Sequence, residues 1–303
     1  MTKRGIDLST PTEPPKPVID RDRLTIIAEI GSCHENSLDE AKRLLDAAKA
    51  AGADVAKAQF WSSGARLAAR RNAPELREIY EAFQIPREWL ALLRTHADSI
   101  GIEFACTSYL PEDVWAVAET CRIMKIASFE ANDPDLLTCH REPYRNGRHI
   151  VISLGMGGRT EPIKECLLRA NVQQAGTYVD SVHLLHCVSA YPAPIAQLSL
   201  SKLRPGTFAD YGRPTYHGFS DHSAADVTIT GAIAVGAGAS ILERHIRLDT
   251  TNAKNPDFQH SMTPLSFAEY VSLARLAYEA VGDAYASGPM ACEEEMLKYR
   301  VTK

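Results

Sequence analysis

The chain has 303 residues, 45% of them hydrophobic and 23% charged, with a formal net charge of -5 and a pI near 6.1. That length fits one large α/β domain or two average ones, and the acidic balance argues against a nucleic-acid surface. The longest apolar runs, such as TITGAIAVGAGASIL, are broken by glycine and fall short of the roughly 18 to 20 residues that cross a bilayer. Neither a nucleic acid nor a membrane is expected as a partner.

Residues 1–23, rich in proline and charge and without an apolar signal region, read as a flexible lead-in. From residue 24 onward, short β-branched runs alternate with segments of helical spacing. The first four predicted strands are LTIIAEIG (24–31), DVAKAQF (54–60), IEFACT (102–107) and IMKIAS (123–128). Four more follow, HIVISLG (149–155), SVHLLHCVS (181–189), YHGFSD (216–221) and SILERHI (240–246). Helices are predicted at 38–52, 86–101, 111–120, 161–170, 224–239 and 266–282, with proline at starts and glycine at ends. Eight strands, each followed by a helix or helical turn, predict an α/β fold of the (β/α)8 TIM-barrel class. The barrel is expected as a single domain over 24–290, with a tail at 291–303. No Gly-rich dinucleotide or Walker fingerprint follows the first strand. The connection 61–85 is longer than its neighbours, as lids and binding segments are. Seven scattered cysteines without a CxxC pair predict free thiols in a reducing cytoplasm.

A parallel barrel brings the C-terminal ends of all its strands to one face. Those ends carry Glu29, then Lys57 and Gln59, then Thr107, then Lys125, Ser128 and Glu130. Further along the chain they carry Ser153, Ser189 with Tyr191 close behind, Ser220 with His222, and His245. Lys57 and Lys125 lie inside strands between apolar neighbours, where an ammonium needs an anion. A lone lysine of this kind can snorkel to solvent or pair with a strand-end carboxylate. Two of them, with the hydroxyls of Thr107, Ser128, Ser153, Ser189 and Ser220, point to a phosphorylated, carboxylated ligand. A Schiff-base role for one lysine is the rival reading.

His222 and His245 end neighbouring strands, and neutral imidazoles suit a divalent metal. A single strand-end histidine is more often structural; a pair beside Glu29 favours a metal with positions open for substrate. His34, His183, His186, His217 and His260 compete as ligands, His34 most seriously. Cys106 and Cys187 read as core residues. SLGMGGRTEP resembles a Gly-rich anion loop, a weak signal alone.

In order along 24–282, the stretches IIAEIGSCHENSLDEAKRLLDAAKAAGADVAKAQF, GIEFACTSYLPEDV, MKIASFE, VISLGMG, LLHCVSAYPAP, GFSDHS and GASILERHI, the last continuing into PD and HSMTP, resemble motifs of one family. That family is the sialic acid (N-acetylneuraminate) synthases with their pseudaminic and legionaminic acid relatives. The resemblance implies a metal-dependent barrel that condenses phosphoenolpyruvate with the aldehyde of an N-acyl amino sugar, such as N-acetylmannosamine or a related aldose. The products are a 2-keto-3-deoxy acid and phosphate. It implies Mn²⁺ as the usual metal, with Mg²⁺ or Co²⁺ as alternatives, and a homodimer. By the same resemblance Lys57, Thr107, Lys125, Ser128, Ser189 and Ser220 hold phosphoenolpyruvate, and His222 and His245 hold the metal. Glu29 lies near the water and metal, and Gln59, Glu130, Tyr191 and Asp257 face the sugar.

The sequence also departs from the family pattern. The family commonly continues into an antifreeze-like C-terminal domain whose arginine reaches the partner's sugar site, and this chain is expected to stop at Lys303 without it. Ser189 stands where bacterial sialic acid synthases have asparagine, TTNAKNPDFQHS replaces a Pro-Gly-Pro-Asp loop, and SCHENS replaces Asn-His-(Asn/Glu)-Gly. These departures bear on the acceptor aldehyde rather than on phosphoenolpyruvate. A non-catalytic barrel that binds phosphoenolpyruvate or a sugar is the remaining alternative.

Overall fold

The computed structural model describes residues 19, 23–168, 181–204, 217–282 and 288–301. Eight parallel strands close into a barrel in chain order. They are β1 (Thr25–Glu29), β2 (Val55–Phe60), β3 (Glu103–Ser108), β4 (Ile123–Ile126), β5 (His149–Leu154), β6 (Val182–Cys187), β7 (Gly218–Asp221) and β8 (Ile241–His245). Seven fall inside the predicted runs and β3 extends one residue past its run, to Ser108; Tyr216, expected to open the seventh, lies outside the described residues. Closure is made by β8 on β1, where His245 pairs with Glu29 and Glu29 in turn pairs with Lys57 on β2.

The helices are α1 (Leu38–Ala50), α2 (Gly64–Arg70), α3 (Arg77–Ala82), α4 (Glu88–Ile100), α5 (Val114–Thr120), α6 (Pro134–Cys139), α7 (Arg141–Arg145), α8 (Glu161–Ile163), α9 (Thr230–Gly236) and α10 (Pro264–Val281). Their ends carry the expected chemistry. Ser37 caps α1 by accepting from Glu40 N, Thr263 caps α10 just before Pro264, and Gly101 ends α4 at φ +70°. Two expectations change. The helix expected over 161–170 is α8 followed by a wider turn to Leu168, and 169–170 lie outside the described residues. The helix expected over 224–239 begins only at Thr230, because Arg244 holds the Ala224 carbonyl and the Ser223 hydroxyl in the preceding loop.

Strand alternation sorts side chains into two cores. Outward-facing residues join the helices in the main core, while Ile27, Val55, Ala105, Ile123, Val151, Leu185 and Ile241 form a separate apolar floor inside the barrel. Ile19, from the expected lead-in, is buried in that floor. Each of these seven floor positions is followed two residues later by a group one layer nearer the C-terminal face. That layer is Glu29, Lys57, Thr107, Lys125, Ser153, Cys187 and Glu243, joined on β7 by Ser220, two residues after Gly218, and all eight are buried.

The long connection 61–85 folds into α2, a 3₁₀ turn at Pro74–Leu76, and α3. It leans over the same face. Trp61 Nε1 donates to the Tyr80 carbonyl at 2.9 Å, and Trp61, Leu67, Tyr109 and Leu110 make a small apolar cluster of their own.

Candidate active site

A cavity of about 320 Å³ opens at the C-terminal face, floored by the polar layer. Lys57 Nζ contacts a Glu29 carboxylate oxygen, donates to Thr107 Oγ1 at 3.1 Å, and lies 3.7 Å from Glu243. Lys125 Nζ donates to Ser153 Oγ at 2.8 Å and lies 3.4 Å from the other oxygen of Glu243. Ser220 donates to that same oxygen at 3.0 Å. Burial pushes Lys57 down to about 8, a shift that Lys125 reinforces and Glu243 opposes. Burial would also raise Glu243, but Lys125 and Lys57 outweigh it and hold the carboxyl down at about 2. Glu29 and Glu243 therefore balance the two lysines, and the layer stores two cations without a net charge.

Above this layer stand His222, His245, His260, Asp257 and Tyr191. With its proton on Nδ1, His222 donates to the Val188 carbonyl at 3.1 Å and keeps an Nε2 lone pair, 3.5 Å from Ser220 Oγ. The His222 and His245 rings are 5.7 Å apart, and those of His245 and His260 4.6 Å. Burial pushes His222 down to about 4 and His245 well below its ordinary value, so both imidazoles are neutral at pH 7, as metal ligands must be. The Ser32 backbone N–H donates to Asp257 Oδ2 at 2.7 Å, an approach open only because residue 31 is glycine: a Cβ there would stand 2.1 Å from that oxygen. His245 Nδ1 is buried without a hydrogen-bond partner among the described residues, and one ligand atom each of His245, Asp257 and His260 lie within 4.8 Å of one another. This donor chemistry fits a divalent cation.

Behind the histidines, on the helix side of the strands, Arg244 and Asp221 form a fully buried ion pair at 3.0 Å. Each immediately precedes a rim histidine in sequence.

The outer half of the cavity differs in kind. Trp61, Tyr80, Phe83, Tyr109 and Phe129 line it, with a single cation among the described residues, Arg71. Arg71 Nε donates to Glu130 Oε1 at 2.7 Å and Nη1 to Tyr80 Oη at 2.9 Å, while its guanidinium lies over the rings of Tyr80, Tyr109 and Phe129.

The structure brings Glu29, Lys57, Gln59, Thr107, Lys125, Ser128, Ser153, Tyr191, Ser220, His222, His245 and Asp257 to one cavity. Ser189 stands just behind it, its hydroxyl 2.8 Å from that of Ser128, with Gly155 making the room. Glu130 is turned away onto Arg71. The other candidate histidines separate. His34 packs against Phe83 and Trp89 with Nδ1 accepting from Asn36 N, His183 meets His149 at the barrel floor, and His186 bonds the Leu198 carbonyl on the outer side. His217 Nδ1 accepts from Leu184 N, and only His260 reaches the rim.

Sequence reasoning did not single out Glu243, although its place two residues after Ile241 and two before His245 puts it on the inward face. Arg71 and the aromatic wall gave no sequence signal, since nothing in ARLAARRNAP marks which arginine turns inward.

A family model described as the NeuB family matches residues 44–286. The N,N'-diacetyllegionaminic acid synthase of Legionella pneumophila is 31% identical over 271 residues, covering 85% of this chain and 73% of that protein. The pseudaminic acid synthase of Campylobacter jejuni is 28% identical over 294 residues, covering 92% and 80%. The crystal structure of an N-acetylneuraminic acid synthetase from Leptospira borgpetersenii, in complex with citrate, superposes with a TM-score of 0.77 at 25% identity and covers 92% of each chain.

Proposed function

This chain belongs to the NeuB family, and we propose that it condenses phosphoenolpyruvate with the open-chain aldehyde of an N-acyl amino sugar, yielding a 2-keto-3-deoxy acid and phosphate. One observation carries this reading: Lys57 and Lys125, with Thr107, Ser153 and Ser220, converge from five strands on one buried layer beneath the cavity.

The enol carbon of phosphoenolpyruvate supplies the nucleophile, so the protein has to hold two ligands face to face rather than attack either. Lys57 and Lys125, with the nearby hydroxyls, hold phosphate and carboxylate by charge-assisted hydrogen bonds. As C3 bonds to the aldehyde carbon, C2 becomes cationic, and Glu243, kept ionised between the lysines, would stabilise that charge. Glu29, anchored to the Gly31 backbone N–H at 2.7 Å, orients the water that adds to C2, after which phosphate leaves. His222 and His245 would hold a divalent metal, Mn²⁺ by the resemblance, whose chemistry is to polarise the aldehyde oxygen. Gln59, Tyr191 and the aromatic wall receive the sugar, with Glu130 acting through Arg71.

Charge supports the metal. Phosphoenolpyruvate carries about three negative charges at neutral pH, and a layer whose own charges cancel attracts it better with a divalent cation at its edge. We further propose that the protein works as a homodimer in the cytoplasm, in keeping with its free cysteines. Among the described residues no helix is long and apolar enough to cross a membrane.

The test is phosphate release from phosphoenolpyruvate with Mn²⁺ and a panel of aldoses that includes N-acetylmannosamine. Release that requires both aldose and metal is expected. Silence across the panel, with metal bound, would sink the proposal. The lowered Lys57 also suits a Schiff base; trapping of a substrate adduct by borohydride, with activity surviving a chelator, would favour that reading instead.

A further inference from the structure

We infer that His260 is a direct ligand of the divalent cation, completing a set of two histidines and one carboxylate with His245 and Asp257. This rests on the metal-dependent reading above, but it concerns a different donor set from the His222 and His245 pair alone.

Three independent observations lead there. His260 is 2% exposed, and neither of its ring nitrogens makes a hydrogen bond among the described residues. An imidazole buried with both nitrogens idle is a poor structural residue, because burial removes the water that would otherwise satisfy it. His260 Nε2 stands 3.5 Å from Asp257 Oδ1, and His245 Nδ1 3.9 Å from Asp257 Oδ2. Donors bound tetrahedrally at about 2.1 Å lie about 3.4 Å apart, and one ligand atom each of His245, Asp257 and His260 already lie within 4.8 Å of one another, so binding an ion would draw the three together by about 1.4 Å at most.

The loop that carries His260 is also tied to the other two ligands. Ile246 bridges to Met262, and Met262 N donates to the His245 carbonyl at 2.9 Å, which seats His260 beside the end of β8. Ser261 N donates to the Asp257 carbonyl at 3.0 Å, and the Asn255 side chain grips the Ser32 carbonyl and hydroxyl at 2.9 and 2.7 Å. Position 260 is thus fixed on both sides by bonds to the segments bearing His245 and Asp257.

A third protein donor tightens binding and moves preference along the divalent series, away from Mg²⁺ and Mn²⁺ and toward Co²⁺. The test compares metal-stripped wild-type chain with His260→Ala and His260→Gln, each checked for folding by circular dichroism. Affinity is read from free Mn²⁺ by electron paramagnetic resonance and from Co²⁺ visible absorption. Directly bound nitrogens are counted by spin-echo modulation of the Mn²⁺ form. Expected are at least a tenfold loss of Co²⁺ affinity in both variants and one fewer coupled nitrogen. Affinities within twofold and an unchanged nitrogen count would overturn the assignment of His260 while leaving a metal site in place. A wild-type chain that binds no divalent cation would overturn the metal reading itself.

Discussion

The two halves of the cavity are built on different principles. The inner half rests on strands: eight side chains at one level, seven of them two residues beyond a floor position, with two lysines and two glutamates in mutual contact. The outer half rests on the 61–85 insertion and the loops after β3 and β4, where aromatic rings surround one arginine already neutralised by Glu130. Rigid, charged and deeply buried groups suit the ligand whose charge must be controlled. A neutral, apolar wall suits a sugar bearing acyl groups, which offers C–H faces and amide oxygens but no charge.

The sharpest way to break this division is Lys125→Met. Removing one partner of a buried, hydrogen-bonded charge set costs about 3–4 kcal/mol, so kcat/KM for phosphoenolpyruvate should fall by roughly 10²- to 10³-fold. Acceptor KM should move far less. The variant should also lose stability to urea, because Glu243 is left with one cation fewer, and adding Glu243→Gln should restore stability but not turnover. An equal effect on both substrates would erase the distinction between the halves.

Lys57 gives an intermediate effect that depends on pH. Its folded value of about 8 lies below its ordinary 10.5, so between those limits the unfolded chain binds more protons than the folded one. Stability against urea should therefore rise with pH across that window. On the proposed role, the ammonium that would grip the anion is lost over the same range. Phosphoenolpyruvate affinity, followed by calorimetry, should weaken above pH 8 and approach a tenfold loss per unit. Stability and affinity moving in the same direction would show that Lys57 is not the anion's cation.

The smallest effect is expected at the wall. Arg71→Met keeps much of the bulk over the three rings but removes the donors, and should raise acceptor KM by about tenfold, near 1.4 kcal/mol. The KM for phosphoenolpyruvate should stay within twofold. A larger change in the phosphoenolpyruvate term would mean that the insertion positions both ligands.

The same division decides what could be read from sequence. Along a strand, period two fixes which residues share a face, so Lys57, Thr107, Lys125, Ser153 and Ser220 were legible one strand at a time. Glu243 obeyed the same rule, but an anion looks out of place in an anion site until the two lysines are seen to flank it. His222 and His245 were legible as strand ends. His260 was only one of five competitors, because its position depends on bonds between Met262 and the end of β8 across a loop. Arg71 sits among charges that read as a solvated helix face, and only the folding of α2 and α3 over the barrel mouth turns it inward. Residues 224–229 failed as a helix for a related reason, since a distant arginine holds the backbone at 223–224 in another shape.

That arginine has a wider bearing. Arg244 and Asp221 act as a gauge block set behind the opening: their buried contact fixes the span between β7 and β8 from the dry side of the sheet. A slip of one residue between these strands would break that contact and turn the preceding residue, rather than the histidine, toward the cavity. The spacing of His222 and His245 is therefore set from the outside, by two residues that never face the cavity.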